Sequence, residues 1–223
     1  MKKFLLFFWA VTIQISANAQ KPSISILGDS YSTFEGYVTP STNEMWYYEE
    51  GGNRTDVNDV TQTWWWLVAS QGGYRICQNN SYSGSTIGYL GYDGNDYSER
   101  SFLSRMDNIG NPDIILVFGA TNDSWAGAPV GEYKYEGWRK ADFYTFRPAM
   151  AYMLQHMKNR YPNVKMYFIL NSELREDISE SCVTICKHYG VDCITLHDIH
   201  KINGHPSIEG MKAIAKQVLD AIK

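Results

Sequence analysis

Short apolar runs alternate with longer amphipathic segments along most of this chain, and this alternation limits the folds available to it more than any other feature. The short runs are rich in Ile, Val, Leu and aromatic residues, which is typical of strands buried on both faces of a sheet. The longer segments repeat apolar residues at three- and four-residue spacing, which is typical of helices with one buried face. The predicted strands are 24–27, 74–78, 113–118, 165–170 and 193–196, and the predicted helices are 61–71, 99–107, 146–160, 173–188 and 207–222.

This order of strands and helices predicts an α/β fold, with a central parallel sheet of about five strands and helices on both faces. A chain of 223 residues, 44% of them hydrophobic, can bury one full core but hardly two. We therefore expect residues 20–223 to form a single domain.

Two stretches depart from the alternation. Residues 31–60 and 123–145 are long, polar and rich in Tyr and Trp. Long loops in a compact domain are usually functional or disordered, and the aromatic content of these two argues against disorder. Both follow the carboxyl ends of predicted strands, where ligands bind in open α/β sheets, so we expect them to form the walls of a pocket.

The amino terminus has the pattern of an export signal. Lys2 and Lys3 precede the apolar stretch 4–13, and Ala17-Asn18-Ala19 supplies the small residues that signal peptidase requires. An apolar stretch of about 10 residues is too short for a bilayer, which takes about 20. Residues 1–19 are therefore predicted to be a cleaved signal peptide, which places the mature protein in the periplasm or outside the cell without stable membrane insertion.

Charge and cysteine content exclude some classes of partner. The formal net charge is −4, loss of the two amino-terminal lysines makes it more negative, and no basic run occurs, so we expect no binding to nucleic acid. No cluster of His, Asp, Glu or Cys has the spacing of a metal site, and we predict no metal or other cofactor. The four cysteines are compatible either with buried free thiols or with one disulfide: Cys77, Cys182, Cys186 and Cys193.

Four polar residues stand at comparable places in the predicted fold. Ser30 follows the first strand in Gly-Asp-Ser, Gly84 follows the second, Asn122 follows the third, and His205 precedes the last helix. The carboxyl ends of parallel strands meet at one edge of a sheet, so these groups are expected to lie together. Gly-Asp-Ser alone is also an ordinary turn. Together, however, the four groups offer a nucleophile, a general base and donors for an oxyanion.

These stretches, in this order, resemble the SGNH hydrolases, also called GDSL-type esterases. The resemblance rests on Gly28-Asp29-Ser30, Gly119-x-x-Asn122-Asp123 and His205-Pro206-Ser207-x-x-Gly210, and it extends over nearly the whole mature chain. It implies a three-layer α/β/α flavodoxin-like fold and a serine esterase that forms an acyl-serine intermediate. It implies Ser30 as the nucleophile, His205 as the base, and the Ser30 and Gly84 backbones with the Asn122 side chain as the oxyanion hole.

One position departs from the family pattern. Family members commonly carry an Asp three residues before the histidine, whereas Ile202 occupies that position here. The imidazole then needs another group to set its orientation and tautomer. Asp198 is one candidate, and a backbone carbonyl in a Ser-His dyad is the other. His197 and His200 lack the Pro-Ser-x-x-Gly context of His205, and we interpret them as residues at the end of a strand.

Aromatic residues in the two long loops indicate the substrate. Trp46 and Tyr48 in the first loop, and Trp125 and Trp138 in the second, are predicted to bind it, because aromatic faces pack well on the C–H surfaces of sugar rings. An exported esterase with such a pocket is expected to deacetylate a carbohydrate. The alternatives are a thioesterase or lysophospholipase-type acyl hydrolase, and a non-catalytic glycan-binding module on the same fold, which Ile202 favours.

Overall fold

Five parallel strands form the central sheet. In a computed structural model, which describes residues 20–49 and 54–222, the strands are β1 (Ser23–Gly28), β2 (Arg75–Ser81), β3 (Ile114–Gly119), β4 (Lys165–Leu170) and β5 (Asp192–Thr195). Their order across the sheet is β2-β1-β3-β4-β5. Strand β2 therefore lies on one side of β1, and β3, β4 and β5 follow on the other side. The predicted signal peptide, residues 1–19, lies outside the described residues.

Helices cover both faces of the sheet. They are α1 (Trp64–Gly72), α2 (Phe102–Arg105), α3 (Thr121–Trp125), α4 (Phe146–Arg160), α5 (Glu176–Tyr189) and α6 (Ile208–Ala221). Helices α1 and α6 pack together on one face, and α4 and α5 on the other. The predicted three-layer α/β/α class is therefore confirmed.

The pleat of each strand divides its side chains between two cores. On β3, Leu116 and Phe118 belong to the core under α1 and α6, while Ile115 and Val117 belong to the core under α4 and α5. All four side chains are fully buried, as expected for a strand covered on both faces. This burial explains why the sequence shows continuous apolar runs instead of alternation.

The structure differs from the predicted elements mainly around the sheet edge. The predicted helix 99–107 is reduced to the single turn of α2, and the short α3 was not predicted. A small hairpin, β6 (Lys201–Ile202) with β7 (His205–Pro206), was also not predicted. Its two-residue turn is Asn203-Gly204, with both residues at positive φ, 51° and 77°, which is the conformation that Asn-Gly favours in tight hairpins. Within the described ranges, no helix is both long and apolar enough to cross a bilayer.

Candidate active site

Ser30 lies directly after the carboxyl end of β1. Asp29 caps the short 3-10 turn that Ser30 opens, and its Oδ1 accepts a hydrogen bond of 3.0 Å from the backbone N–H of Tyr31. Ser30 is almost fully buried, and its backbone carbonyl accepts a hydrogen bond of 3.0 Å from the Thr33 hydroxyl. The turn therefore holds the serine at the sheet edge, as its position in the sequence predicts.

His205 reaches Ser30 from the hairpin. Its Nε2 lies 2.9 Å from Ser30 Oγ, and its Nδ1 lies 3.2 Å from the backbone carbonyl oxygen of Asn203. A carbonyl oxygen can only accept, so Nδ1 must carry the proton and Nε2 presents a lone pair to the serine hydroxyl. This is the tautomer that a general base for Ser30 requires.

The predicted orienting carboxylate, Asp198, does not perform that task in this structure. Its side chain is 95% exposed and its Oδ2 lies 2.9 Å from Nδ1 of the neighbouring His197. The hairpin explains the difference, because it pairs Ile202 directly with His205 and turns the Asn203 carbonyl towards the imidazole. Of the two orienting groups that the sequence left open, the geometry favours the backbone carbonyl of Asn203 over Asp198.

Tyrosine hydroxyls hold the hairpin in place. Tyr31 donates to the Gly204 carbonyl at 2.5 Å, and Tyr47 donates to the Pro206 carbonyl at 3.0 Å. Both tyrosines are fully buried and anchored in the core under α1 and α6. The position of His205 is thus set by its backbone neighbours on both sides.

The His205 imidazole is stacked on a tryptophan. The Trp46 ring lies parallel to it, with centroids 3.6 Å apart and an angle of 8° between the planes. The Tyr31 ring is tilted against it and the Trp125 ring is edge-on to it, with centroids 5.2 and 5.8 Å away. Burial among these rings lowers the pKa of His205 to about 4, the hydrogen bond to Asn203 opposes that shift, and the positive charge of Arg54 adds to it. The imidazole is therefore neutral at physiological pH.

Gly84 and Asn122 face the same space. Gly84 has a φ of 77°, so its loop uses a left-handed conformation that suits glycine. The Asn122 amide nitrogen donates to the Ser85 carbonyl at 2.9 Å, which leaves its second N–H for a ligand. Its Oδ1 accepts from the Tyr92 hydroxyl at 2.8 Å, and this contact sets which way the amide points.

Tyr92 and Arg105 were not identified from the sequence. Tyr92 lies in an irregular loop far from any motif, and only the fold brings it to Asn122. The Arg105 guanidinium lies under the site, where it donates to the Gly28 carbonyl at 3.2 Å, to the Ser85 hydroxyl at 2.9 Å and also to the Asn80 carbonyl. Burial lowers its pKa to about 9. It ties the ends of β1 and β2 to the loop that carries Gly84.

Two buried aspartates support the surrounding loops. Asp123 accepts from the backbone N–H of Ile87 at 2.9 Å, next to the Gly84 loop, and Asp29 caps the turn of Ser30. Burial raises the pKa of each carboxyl to about 7. Neither carboxylate is bonded to His205, and both accept hydrogen bonds from backbone N–H groups.

A cavity of about 360 Å³ opens in front of these groups. It contains the four motif residues and two of the four aromatic residues that the sequence assigns to substrate. Its lining consists of Ser30, Trp46, Ser83, Gly84, Tyr92, Asn122, Trp125, Asn203 and His205. Across the ranges 20–49 and 54–222, no group of three or more His, Cys, Asp or Glu side chains is placed to hold a metal ion.

The two other aromatic residues lie elsewhere, which corrects their assignment to the pocket wall. Trp138 donates from Nε1 to the Lys134 carbonyl at 3.0 Å and packs edge-on against Tyr152 of α4 at 5.5 Å. Tyr48 donates to the Met45 carbonyl at 3.1 Å and does not line the cavity. Trp138, in the second long loop, therefore packs on α4 and not on the cavity.

Comparison with known proteins gives one family and a set of related structures. The family model of GDSL-like lipases and acylhydrolases matches residues 22–222. No curated protein matches. A protein from Bacteroides ovatus assigned as a GDSL-like lipase has a crystal structure that is 60% identical in sequence, with a TM-score of 0.90, over 91% of this chain and 98% of its own.

Two further structures extend the comparison. A protein from Bacteroides uniformis, also assigned as a GDSL-like lipase, is 51% identical, with a TM-score of 0.90, over 92% of this chain and 96% of its own. A family two carbohydrate esterase from Clostridium thermocellum, in complex with cellohexaose, is 14% identical, with a TM-score of 0.58, over 92% of this chain and 65% of its own. At that identity the likeness concerns the fold alone.

Proposed function

We propose that this chain, which belongs to the GDSL-like lipase/acylhydrolase family, is an exported serine esterase that removes acyl groups, foremost acetyl, from carbohydrate. The family is one of ester-hydrolysing enzymes. The observation that carries the serine mechanism is the contact of 2.9 Å between Ser30 Oγ and His205 Nε2, with the Nδ1 proton held by the Asn203 carbonyl.

The proposed acylation begins at Ser30. Its Oγ attacks the carbonyl carbon of the ester while His205 Nε2 takes the hydroxyl proton. The resulting oxyanion accepts hydrogen bonds from the Ser30 and Gly84 backbone N–H groups and from the second N–H of Asn122. Collapse of the intermediate breaks the bond to the alcohol oxygen, which takes the proton from His205 and leaves as the sugar hydroxyl.

Water completes the cycle by the same steps. It gives a proton to His205 Nε2 and attacks the acyl-serine, and the proton returns to Ser30 Oγ when the carboxylic acid leaves. The imidazole becomes positively charged in each half-reaction. The Asn203 carbonyl stabilises that charge through Nδ1–H, and this contact takes the place of a carboxylate in the proposed dyad. The parallel face of Trp46 at 3.6 Å fixes the plane of the ring and shields it from water.

The shape of the cavity supports a small acyl group on a sugar. Its volume of about 360 Å³ is near the lower end of ligand sites, and its lining combines Trp46 and Trp125 with hydroxyl and amide groups. Flat rings beside hydrogen-bonding groups suit a sugar better than a long aliphatic chain. The cellohexaose complex of the Clostridium thermocellum esterase, which shares this fold, adds support for a glycan substrate.

The alternatives are less well supported by this geometry. A lysophospholipase would need a broad aliphatic groove, while a thioesterase would use the same serine, so measured turnover of a thioester distinguishes it. A non-catalytic glycan-binding module would be favoured by a Ser30–His205 separation beyond hydrogen-bond reach, whereas the two atoms are 2.9 Å apart. The pattern of residues 1–19 supports export to the periplasm or the exterior.

The acyl and sugar preferences can be measured directly. We expect the purified protein to release acetate from acetylated xylo-oligosaccharides, and to hydrolyse p-nitrophenyl acetate at least tenfold faster than p-nitrophenyl octanoate, because the cavity is small and polar. Acetate is measured with a coupled enzyme assay, and the Ser30→Ala protein serves as the blank. Faster turnover of the octanoate, or of an acyl thioester, would contradict the assignment of a carbohydrate acetylesterase.

The pH dependence tests the environment of His205. Only the neutral imidazole can accept the serine proton, so kcat/KM for p-nitrophenyl acetate is expected to rise with pH through an apparent pKa of about 4 and to stay level from about pH 6 to neutrality. Trp46→Leu opens one face of the ring to water, so the midpoint should move towards the ordinary value of about 6.5.

Trp46→Phe is the matched control, because it retains an aromatic face and should keep the low midpoint. Stopped-flow mixing from neutral pH into each buffer separates this titration from acid unfolding. A wild-type midpoint between pH 6 and 7, or identical profiles for all three proteins, would show that the stack does not control the base.

A further inference from the structure

We propose that a second groove, next to the catalytic cavity, binds the unacylated part of a neutral oligosaccharide, so that the substrate is a glycan chain and not a single acylated sugar. This inference rests on the proposed esterase function and adds a second site to it. The groove has a volume of about 630 Å³, larger than the catalytic cavity. We call it the distal groove and define it by Asn43, Asn80, Tyr82, Asp96, Tyr97 and Arg100.

The centre of the distal groove is an arginine stacked on aromatic rings. The Arg100 guanidinium carbon lies 3.7 Å from the centroid of Tyr97 and 5.8 Å from that of Tyr82. Among the described residues, no carboxylate forms an ion pair with Arg100, and the Arg100 side chain donates no hydrogen bond. The stack therefore presents a flat, preorganised surface with N–H donors at its edge, ready for ligand oxygens.

The floor of the groove is polar and rigid. Asn43 and Asn80 are both buried, and the Asn43 amide nitrogen donates to Asn80 Oδ1 at 3.1 Å and to the Ser81 carbonyl at 3.0 Å. The Asn80 amide nitrogen donates in turn to the Asn108 carbonyl at 2.7 Å. Buried amides under an open groove are costly to desolvate unless they are bonded, and this network holds them in place. A hydroxylated ligand fits such a floor, while an aliphatic chain does not.

The charges of the lining indicate a neutral ligand. Two guanidinium groups, those of Arg100 and Arg105, are matched by two carboxylates, those of Asp96 and Glu99. Asp96 is already bonded, because its oxygens accept from the Ser98 N–H and the Tyr144 hydroxyl at 2.8 Å each. A mixture of planar acceptors and donors without net charge suits sugar hydroxyls, which both give and accept hydrogen bonds.

The distal groove and the catalytic cavity share a wall. Tyr82 lines the groove, and the next two residues, Ser83 and Gly84, line the cavity. On the other side, Tyr97 of the groove packs on Tyr92 of the cavity, with ring centroids 6.4 Å apart. An oligosaccharide that places its acyl group at Ser30 can therefore continue over the 83–84 segment into the groove.

Binding is tested with the full chain carrying Ser30→Ala, so that no hydrolysis occurs. Isothermal titration with xylotetraose and with cellotetraose is expected to show one-site binding for at least one of them. Adding Arg100→Ala should weaken that binding about tenfold or more, through loss of charged donors and of the stacked surface. Arg75→Ala, which removes an exposed arginine at the far end of β2, is the matched control and should leave binding unchanged.

Three results would overturn the inference. They are no binding of either tetrasaccharide, equal binding with and without Arg100, and salt-sensitive binding of trigalacturonate that exceeds that of both neutral chains. A kinetic ratio provides the second readout: Arg100→Ala should lower kcat/KM for acetylated xylotetraose by about tenfold more than kcat/KM for p-nitrophenyl acetate. Absence of any Ser30-dependent hydrolysis would instead reject the proposed esterase function, and the titration would still decide the groove.

Discussion

Replacing Ser30 by alanine is expected to lower kcat for p-nitrophenyl acetate by about 10⁴- to 10⁶-fold. Among the described residues, the Ser30 hydroxyl is the group that bonds His205 Nε2, at 2.9 Å, and without it the base has no nucleophile to activate. His205→Ala should cause a loss of similar size, because the two groups act as one unit. Initial rates are measured at pH 7 with each protein at equal concentration, and folding is checked by circular dichroism.

Matched variants make this result specific. Ser83→Ala removes another serine hydroxyl from the same cavity, and His197→Ala removes an exposed histidine outside it. Both should retain activity within a few-fold of the wild type. Residual activity of Ser30→Ala or His205→Ala within tenfold of these controls would contradict the serine mechanism. Loss of activity in Ser83→Ala alone would move the nucleophile to a different residue.

Arg105→Met is expected to lower the free energy of unfolding by about 3–5 kcal/mol. Replacing a whole buried ion pair by apolar residues can be neutral, but here the acceptors remain after the cation is removed. The Gly28 and Asn80 carbonyls and the Ser85 hydroxyl would each lose a donor inside the core. Equilibrium unfolding in urea measures the change, with the slope of the transition as a check on two-state behaviour.

The control for this prediction is Arg75→Met, the same substitution at an exposed position of β2. It should change the free energy of unfolding by less than about 0.5 kcal/mol. A loss of less than about 1 kcal/mol in Arg105→Met would mean that water or a shifted side chain satisfies the three acceptors. If Arg105→Met is recovered only as unfolded protein while Arg75→Met folds, the prediction stands.

The strands and long helices could be predicted because their sequences carry the reason for their structure. Strand β4 and helix α4 were predicted with the bounds that the structure shows, Lys165–Leu170 and Phe146–Arg160. Strand β3 has a continuous run of apolar residues because both of its faces are buried. The prediction for helix α2 was too long. Ser101 caps the helix at its start and Met106 ends it after one turn, and the spacing of apolar residues does not indicate such helix ends.

The orientation of His205 could not be predicted in the same way. The sequence left Asp198 and a backbone carbonyl open, and the choice depended on a two-residue turn. Asn203-Gly204 is a good hairpin signal, but the strands beside it are only two residues long and show no alternation of their own. The packed tyrosines, Tyr31 and Tyr47, hold the hairpin in its place, and these contacts exist only in the folded chain.

The sequence by itself determined the three-layer fold and the family, and it predicted that Ser30, Gly84, Asn122 and His205 lie together, because the carboxyl ends of parallel strands meet at one edge of the sheet. The tertiary structure decided which loop residues join them. It brought Trp46 onto His205 and Tyr92 to Asn122, and it took Trp138 away to α4. The physical reason is that an aromatic residue in a loop belongs to no periodic pattern that reveals its direction, so its partner depends on which ring or hydrogen-bonding group the packed fold places beside it.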